Sequence, residues 1–511
     1  VTEKRTAPAG DSRGDNGPPR APTGGGTPAG RALTIVTFAA LAALVAGLLL
    51  RAWANAAYPF ALEDAESGVL GASWRAAQGK TFYSEGHDAP YVITVYNPLL
   101  PAVAGGAMRV FGDSPAVARG VTLFFYFGAA AVIWLFVRNI TGMKRAALAA
   151  AAFFLLERHL FARAGHAAVD YPAIFFSLLG LYLWKDEGWR RAAALVAFAL
   201  AFFSKQSALA APAAAFAWMF FGGKRRRALK MAALFAAAVG LGLAACWALF
   251  GKAYFIDAFY YVRGGAYLPF KAVRQVAVAA ALYVAPTAGL ALLAWRGART
   301  RQMPLVAWYG ILGLAAALGI GMQGAGYGYF FDFAAALAIV AGLMWAAVVQ
   351  RAKKKGLEAA VILAVALQAA LVVVGVWPEL KALGEMRLSA LADRGGGAAI
   401  RDGVVREAYE TNDGYVLCRE TAMEIGARAK SVGTDLYKVT QLVRDERLPA
   451  DTMTRLVRGP KPFSSLVIMP ERDAGWKLFS DEMLREIDAN YELDHESKGL
   501  KFYRPKARGT D

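Results

Sequence analysis

Long uncharged apolar runs, separated by short basic loops, recur along this chain, and no other feature limits its fold so tightly. The first run, residues 32–50, lies between Arg31 and Arg51. Its length matches the roughly twenty residues a helix needs to cross a bilayer. Across the 511 residues, 57% are hydrophobic and the mean hydropathy is +0.36, above the average of soluble domains. The net charge of +18 would suggest a nucleic-acid partner in a soluble protein. Here the cations collect between apolar runs, at Lys144-Arg145, Lys224-Arg225-Arg226-Arg227, residues 296–301 and residues 351–355. That is the positive-inside pattern of a membrane protein, and no interleaving of basic and aromatic residues accompanies it. Nucleic acid is therefore excluded as a partner. With only Cys246 and Cys418, a disulfide framework is excluded too.

The loops fix an expected topology. If the basic loop at 224–230 is cytoplasmic, stepping outward one span at a time places residues 204–206, 163–170, 251–274 and 322–329 outside. Residues 52–115 then form one outer loop, in which the short, Pro- and Gly-broken stretch 98–111 reads as a re-entrant or surface-lying helix. The count is about eleven spans. The expected organisation is a disordered cytoplasmic tail over 1–31, a membrane helical bundle over 32–377, and a soluble extracytoplasmic α/β domain over 381–511. Within that last domain, residues 414–418 and 465–469 read as buried strands, 421–430 and 436–444 as helices, and 491–493 with 500–503 as a closing hairpin.

Although lysines and arginines alone set this topology, it gathers the chemically interesting residues on one face. Glu63, Asp64 and Glu66 follow the first span, and His87, Asp88, His166, Asp170, Lys205, Tyr327 and Asp332 fall at the same outer side. Carboxylates near bilayer depth are costly, so an acidic cluster at a membrane mouth points to a general base or a metal site. The bland alternative is a solvated acidic loop. Asp170, at the start of a span, reads either as a helix cap or as a site carboxylate. Lys205, between two apolar helices, either snorkels or holds an anion such as a lipid phosphate. Asp332 follows the segment Gly324-Ala325-Gly326-Tyr327-Gly328-Tyr329, whose glycines permit close backbone approach and whose tyrosines suit either a sugar or the membrane interface. His87 and His166 show no metal-ligand spacing, so a divalent cation has only weak support.

The order of several motifs resembles the GT-C glycosyltransferases, in the protein O-mannosyltransferase and aminoarabinose-transferase branch. The acidic cluster is followed by Gly79-Lys80-Thr81-Phe82-Tyr83, by Tyr96-Asn97-Pro98-Leu99, and by Phe111-Gly112-Asp113 with the later Arg119. Asp170 with Pro172-Ala173, and Ser204-Lys205-Gln206-Ser207, continue the likeness, which covers roughly residues 32–340. Two departures stand out. The family's acidic pair reads Glu63-Asp64 with Glu66 displaced, and its Pro-Pro reads Asn97-Pro98. The spacing to Tyr83 favours Glu66 as the family's catalytic acid, whereas residue type favours Asp64.

The resemblance implies an enzyme that takes a sugar from a polyprenyl-phosphate carrier at the outer membrane face and passes it, with inversion, to a hydroxyl of a glycan, lipid or protein acceptor. On that reading Glu66, Asp64, Glu63 and Asp170 are the catalytic candidates. Lys205, Arg163 and Arg119 are the candidates for the donor phosphate, and Tyr83, Tyr96, Asn97, Gln206, Tyr327 and Asp332 line the substrate site. No nucleotide-binding glycine motif is present, in keeping with a lipid-linked donor. The competing readings are a transporter or lipid flippase, which would place ionisable groups at the midplane of repeated halves, and a non-catalytic membrane scaffold.

Overall fold

The computed structural model describes residues 28–58, 61–84, 92–184, 188–262, 266–351, 373–374, 415–418, 430–431, 436–458, 465–468, 481–497 and 500–506. The tail 1–27, His87, Asp88, all of the predicted helix 421–430 but Lys430, which is in a strand, and all but two residues of the predicted last span lie outside them.

The first apolar run forms α1 (Pro28–Ala57). The segment between α1 and the next long helix then builds two short helices, α2 (Asp64–Ala77) and α3 (Leu99–Phe111). They pack closely because Gly105 has no side chain: a Cβ there would lie 2.6 Å from the Ser73 carbonyl oxygen. Val69, Leu70 and Trp74 of α2 meet Leu100, Ala104 and Met108 of α3. Arg109 closes the pair by donating to the Ala77 and Ala76 carbonyls at 2.6 and 2.8 Å, satisfying the free end of α2 with a cation. The stretch around Pro98 is thus a 13-residue helix, too short to cross a bilayer.

The bundle continues through α4 (Pro115–Thr141), α5 (Lys144–Leu155), the short α6 (Arg158–Ala162), α7 (Asp170–Trp184), α8 (Trp189–Ser204), α9 (Ala210–Phe221) and α10 (Arg225–Phe250). After a short turn, α11 (Lys252–Phe255), and a π-helical turn over Ile256–Tyr260 come α12 (Pro269–Leu282), α13 (Val284–Thr300), α14 (Leu305–Ala317) and α15 (Phe331–Arg351). Among the described residues, three helices are long and apolar enough to cross a membrane: Pro115–Thr141, Arg225–Phe250 and Tyr327–Gln350. α12 and α13 form an apolar pair bent by 99° at Tyr283, which counts as a fourth only if the two are taken as one span. Apart from α1, the remaining bundle helices are shorter, and at about 1.5 Å per residue a twelve-residue helix such as α5 or α9 covers little more than half the hydrocarbon core. The parity count of eleven draws on these short helices, whereas length and composition single out only the long ones. One core runs through the bundle, from Tyr126 and Phe136 of α4 through Tyr171 and Trp184 of α7 to Phe333 and Leu337 of α15.

Beyond the bundle lies a five-stranded mixed sheet, in the order β2-β1-β3-β5-β4. β1 (Tyr415–Cys418) runs parallel to β2 (Lys430–Ser431) and β3 (Ser465–Ile468). The expected hairpin is β4 (Tyr491–Ser497) against β5 (Leu500–Pro505), with a bulge between Leu493 and His495. The predicted helix 436–444 is present as Leu436–Arg444. Val439, Leu442, Met483 and Ile487 from this region share a core with Ile93 and Tyr261, so the C-terminal layer rests on the segment before α3 and on the residue after the π-helical turn. Arg447 adds a hydrogen bond to the Tyr260 carbonyl and places its guanidinium 5.1 Å above the Tyr260 ring.

Candidate functional site

The sequence-predicted residues separate into two groups. One group is sealed. Glu66 lies on the buried face of α2, and its two carboxylate oxygens each stand 2.9 Å from an Arg119 nitrogen, with neither side chain exposed. The Leu62 and Ala167 N–H groups complete the carboxylate at 2.6 and 2.7 Å. Arg119 spends its remaining donors on the Asn55 and Tyr58 carbonyls at the end of α1. Burial alone would raise the Glu66 carboxyl, but the hydrogen-bonded Arg119 guanidinium outweighs it and holds the group below the ordinary glutamate range. Glu66, expected as a base, and Arg119, expected as a phosphate ligand, thus pair with each other, and together they tie α1, α2, α4 and the 163–167 turn into one unit.

Several substrate-binding candidates also bond to other groups of the protein. Asn97 is fully buried, donating to the Phe202 carbonyl and accepting from the Tyr254 hydroxyl at 2.7 Å. The Tyr83 hydroxyl donates 2.7 Å to the carbonyl of Tyr96. Gln206 donates to the Val95 and Ala258 carbonyls, at 3.0 Å each. These residues pin the outer loop onto the bundle. His166 is also inward, with Nδ1 2.9 Å from the Arg163 carbonyl, and burial lowers its pKa. Among the described residues no group of three His, Cys, Asp or Glu side chains is arranged to hold a metal ion.

The second group forms a continuous line of alternating charge. Glu63, the residue before α2, pairs with Arg163, and Arg163 Nη1 reaches Asp170 Oδ2 at 3.5 Å. The other oxygen of Asp170 receives Lys205 Nζ at 2.6 Å. Glu63, at 33% side-chain exposure, is the open end of the line, whereas Arg163, Asp170 and Lys205 are at 8–14%. Among the described residues Arg163 Nε has no acceptor. Asp64 opens α2 beside Glu63, and its side chain lies outside what the structure describes.

Local sequence explains why these groups meet. Lys205 ends α8 in an extended conformation, which turns its side chain away from the helix toward α7. Asp170 is the first residue of α7, where a carboxylate complements the helix N-terminus. The aromatic turn Tyr327–Phe330 closes over both. Gly328 lies so near that a Cβ there would fall 1.9 Å from Asp170 Oδ1, and the Tyr329 ring carries Lys205 Nζ 4.3 Å from its centre. The close backbone approach expected of this glycine-rich segment is made at Gly328. Together Asp170, Lys205, Ser207, Gly328, Tyr329 and Asp332 line one small cleft. Asp332 accepts from the Tyr309 hydroxyl at 2.8 Å, and Tyr327 is 40% exposed at the rim.

Three features escaped the sequence reading. Tyr329 was visible only as part of an aromatic run. Glu157 and His159 form a buried pair behind the turn. Asp257, in the π-helical turn, accepts from the Ser84 and Thr94 N–H groups with one oxygen, while its other oxygen has no partner. Burial pushes its carboxyl up to about 8 despite those two donors. An isolated acid between aromatic residues carries no local motif that would have revealed this.

Residues 91–250 match the family profile of the dolichyl-phosphate-mannose-protein mannosyltransferases. No curated protein sequence matches the chain. Among solved structures, ArnT from Cupriavidus metallidurans bound to undecaprenyl phosphate is similar with a TM-score of 0.59 at 12% identity, covering 90% of this chain and 98% of that one. The apo state of the same protein is similar with a TM-score of 0.57 at 14% identity, over 93% and 98% of the two chains. The chain thus has the fold of a polytopic membrane helical protein, and the resemblance to the GT-C glycosyltransferases is borne out.

Proposed function

We propose that this integral membrane protein transfers a sugar from a polyprenyl-phosphate-linked donor to an acceptor hydroxyl at the outer membrane face, with inversion at the sugar carbon. The observation that carries this reading is the buried line Glu63–Arg163–Asp170–Lys205 at one end of the bundle. Two cations and two carboxylates balance within it, so the line holds together in a low-dielectric setting without a ligand. The Arg163 Nε donor without an acceptor and the unused protons of Lys205 suit a phosphate arriving from the membrane.

In this mechanism Lys205 and Arg163 offset the charge that develops on the departing lipid phosphate. Glu63 or its neighbour Asp64, at the open end of the line, removes the acceptor proton as the hydroxyl attacks. Asp170 holds Lys205 and Arg163 in place between these two tasks. The family match supports the sugar-transfer class, and the undecaprenyl phosphate in the ArnT structure supports a lipid-phosphate donor. The same reading puts the amino end in the cytoplasm and the C-terminal layer outside.

Lys205→Met tests the phosphate assignment. A hydrogen bond to a charged group contributes about 1.5–3 kcal/mol, so affinity for undecaprenyl phosphate in nanodiscs should fall on the order of 10- to 100-fold. Lys205→Arg should recover only part of it, because the planar guanidinium differs in shape and reach from an ammonium. Unchanged affinity in Lys205→Met would remove this residue from the site.

Orientation has its own test. In a background without Cys246 and Cys418, a cysteine replacing the exposed Arg504 should react with an impermeant reagent on intact cells. One replacing Gly223, beside the basic loop, should react only after permeabilisation. The reverse pattern would invert the topology and move the proposed site to the cytoplasmic face.

A further inference from the structure

We propose that Glu157 and His159 are positioning residues for the donor cleft: they hold the aromatic turn that forms its wall. The inference rests on the proposed function, because it concerns the cleft assigned there to the lipid phosphate.

Glu157 is 2% exposed and makes one connection after another. It caps α6, accepting from the His159 and Leu160 N–H groups at 2.9 and 3.0 Å. Its other oxygen lies 2.8 Å from His159 Nδ1, which fixes the orientation of the imidazole. The next residue, Arg158, donates its N–H to the Tyr283 hydroxyl at 2.8 Å. Tyr283 stands at the 99° bend between α12 and α13. A carboxylate buried this deeply is costly unless its bonds are made, and here one oxygen caps α6 while the other orients the His159 ring.

The oriented ring touches both ends of the turn. The His159 imidazole lies 4.4 Å from the centre of the Tyr327 ring at an angle of 33°, and 5.3 Å from that of Phe330, nearly parallel at 14°. Between these two anchors lie Gly328, pressed against the Asp170 carboxylate, and Tyr329, beneath the Lys205 ammonium. Gly328 has no slack toward Asp170, so any shift of the turn moves the wall of the cleft and the partners of Lys205 together. The pair meets the charged line at one backbone bond, from the Arg163 N–H to the His159 carbonyl at 3.3 Å; side-chain changes at His159 leave that bond in place, so the effect of the ring on the donor passes through the turn.

The experiment compares undecaprenyl phosphate binding in nanodiscs for the wild type, His159→Ala, His159→Phe, Tyr327→Leu and Lys205→Met, with melting midpoints alongside. Losing the two ring contacts should weaken His159→Ala about tenfold, and His159→Phe, which keeps a flat ring, should return to within about twofold of the wild type. Tyr327→Leu, at a partly exposed position, should weaken binding with its melting midpoint unchanged, and should raise the donor KM while sparing kcat. It decides the matter if His159→Ala does not fold. Wild-type affinity in folded His159→Ala or in Tyr327→Leu, with Lys205→Met weakened, overturns the positioning role alone. Equal loss in His159→Phe and His159→Ala overturns it as well. Wild-type affinity in Lys205→Met would instead overturn the phosphate reading on which it rests.

Discussion

Glu63→Gln and Asp64→Asn should each leave the protein folded, and at least one should cut sugar transfer by on the order of 10²–10⁴, the usual cost of losing a general base. Both residues sit where the outer loop enters α2, and Glu63 is the one carboxylate of the charged line with substantial exposure. An amide keeps the shape and much of the hydrogen bonding but cannot take up a proton. The useful measurement is single-turnover transfer with donor prebound, since donor affinity then drops out. Transfer at the wild-type rate in both variants would reduce these acids to partners of Arg163 and would leave the proposed reaction without a base.

Glu66 should behave in the opposite way. Its carboxylate and Arg119 are both buried completely, and removing one partner of such a pair typically costs about 3–5 kcal/mol because the other charge is left uncompensated. Glu66→Ala and Arg119→Met should each lower the thermal midpoint in detergent strongly, and the double variant should recover part of the loss by removing the orphaned charge. The pair also sets a pH dependence. The folded Glu66 carboxyl is held below its ordinary range, so its contribution is complete above the unfolded glutamate pKa of about 4.3 and disappears as pH falls from there through the lower folded value. If Glu66→Gln melts like the wild type and yet fails to transfer sugar, the assignment reverses and Glu66 becomes the chemical carboxylate.

The contrast between Glu63 and Glu66 shows where sequence reading stops. The two acids lie three residues apart at the start of one helix, and motif spacing even favoured Glu66. Their fates differ because α2 turns one face toward Arg119 and Ala167, residues far along the chain, and leaves the other near Arg163. Lys205 and Asp170 were both recognisable as costly charges beside apolar helices, but their contact spans 35 residues and depends on α7 and α8 packing side by side. Gln206, Asn97 and Tyr83 looked like site residues because they are polar and lie in matching motifs. In the fold their polar atoms bond mainly to backbone carbonyls of residues distant in sequence, an obligation that no local pattern reveals.

What the sequence determined by itself was the class of protein: apolar runs of spanning length, basic loops between them and an αβ-patterned tail follow from transfer free energies and side-chain periodicity, both of which are local. It also located the end of the bundle where charge gathers, because each buried ion announces itself by its cost. Only the tertiary structure decided which ion neutralises which. That choice depends on contacts between helices distant in sequence, where a difference of a few ångströms separates a sealed pair such as Glu66–Arg119 from a line open to a ligand. The positioning pair Glu157–His159 belongs to the same category, since a ring stack between two loops exists only once the helices that carry them have packed.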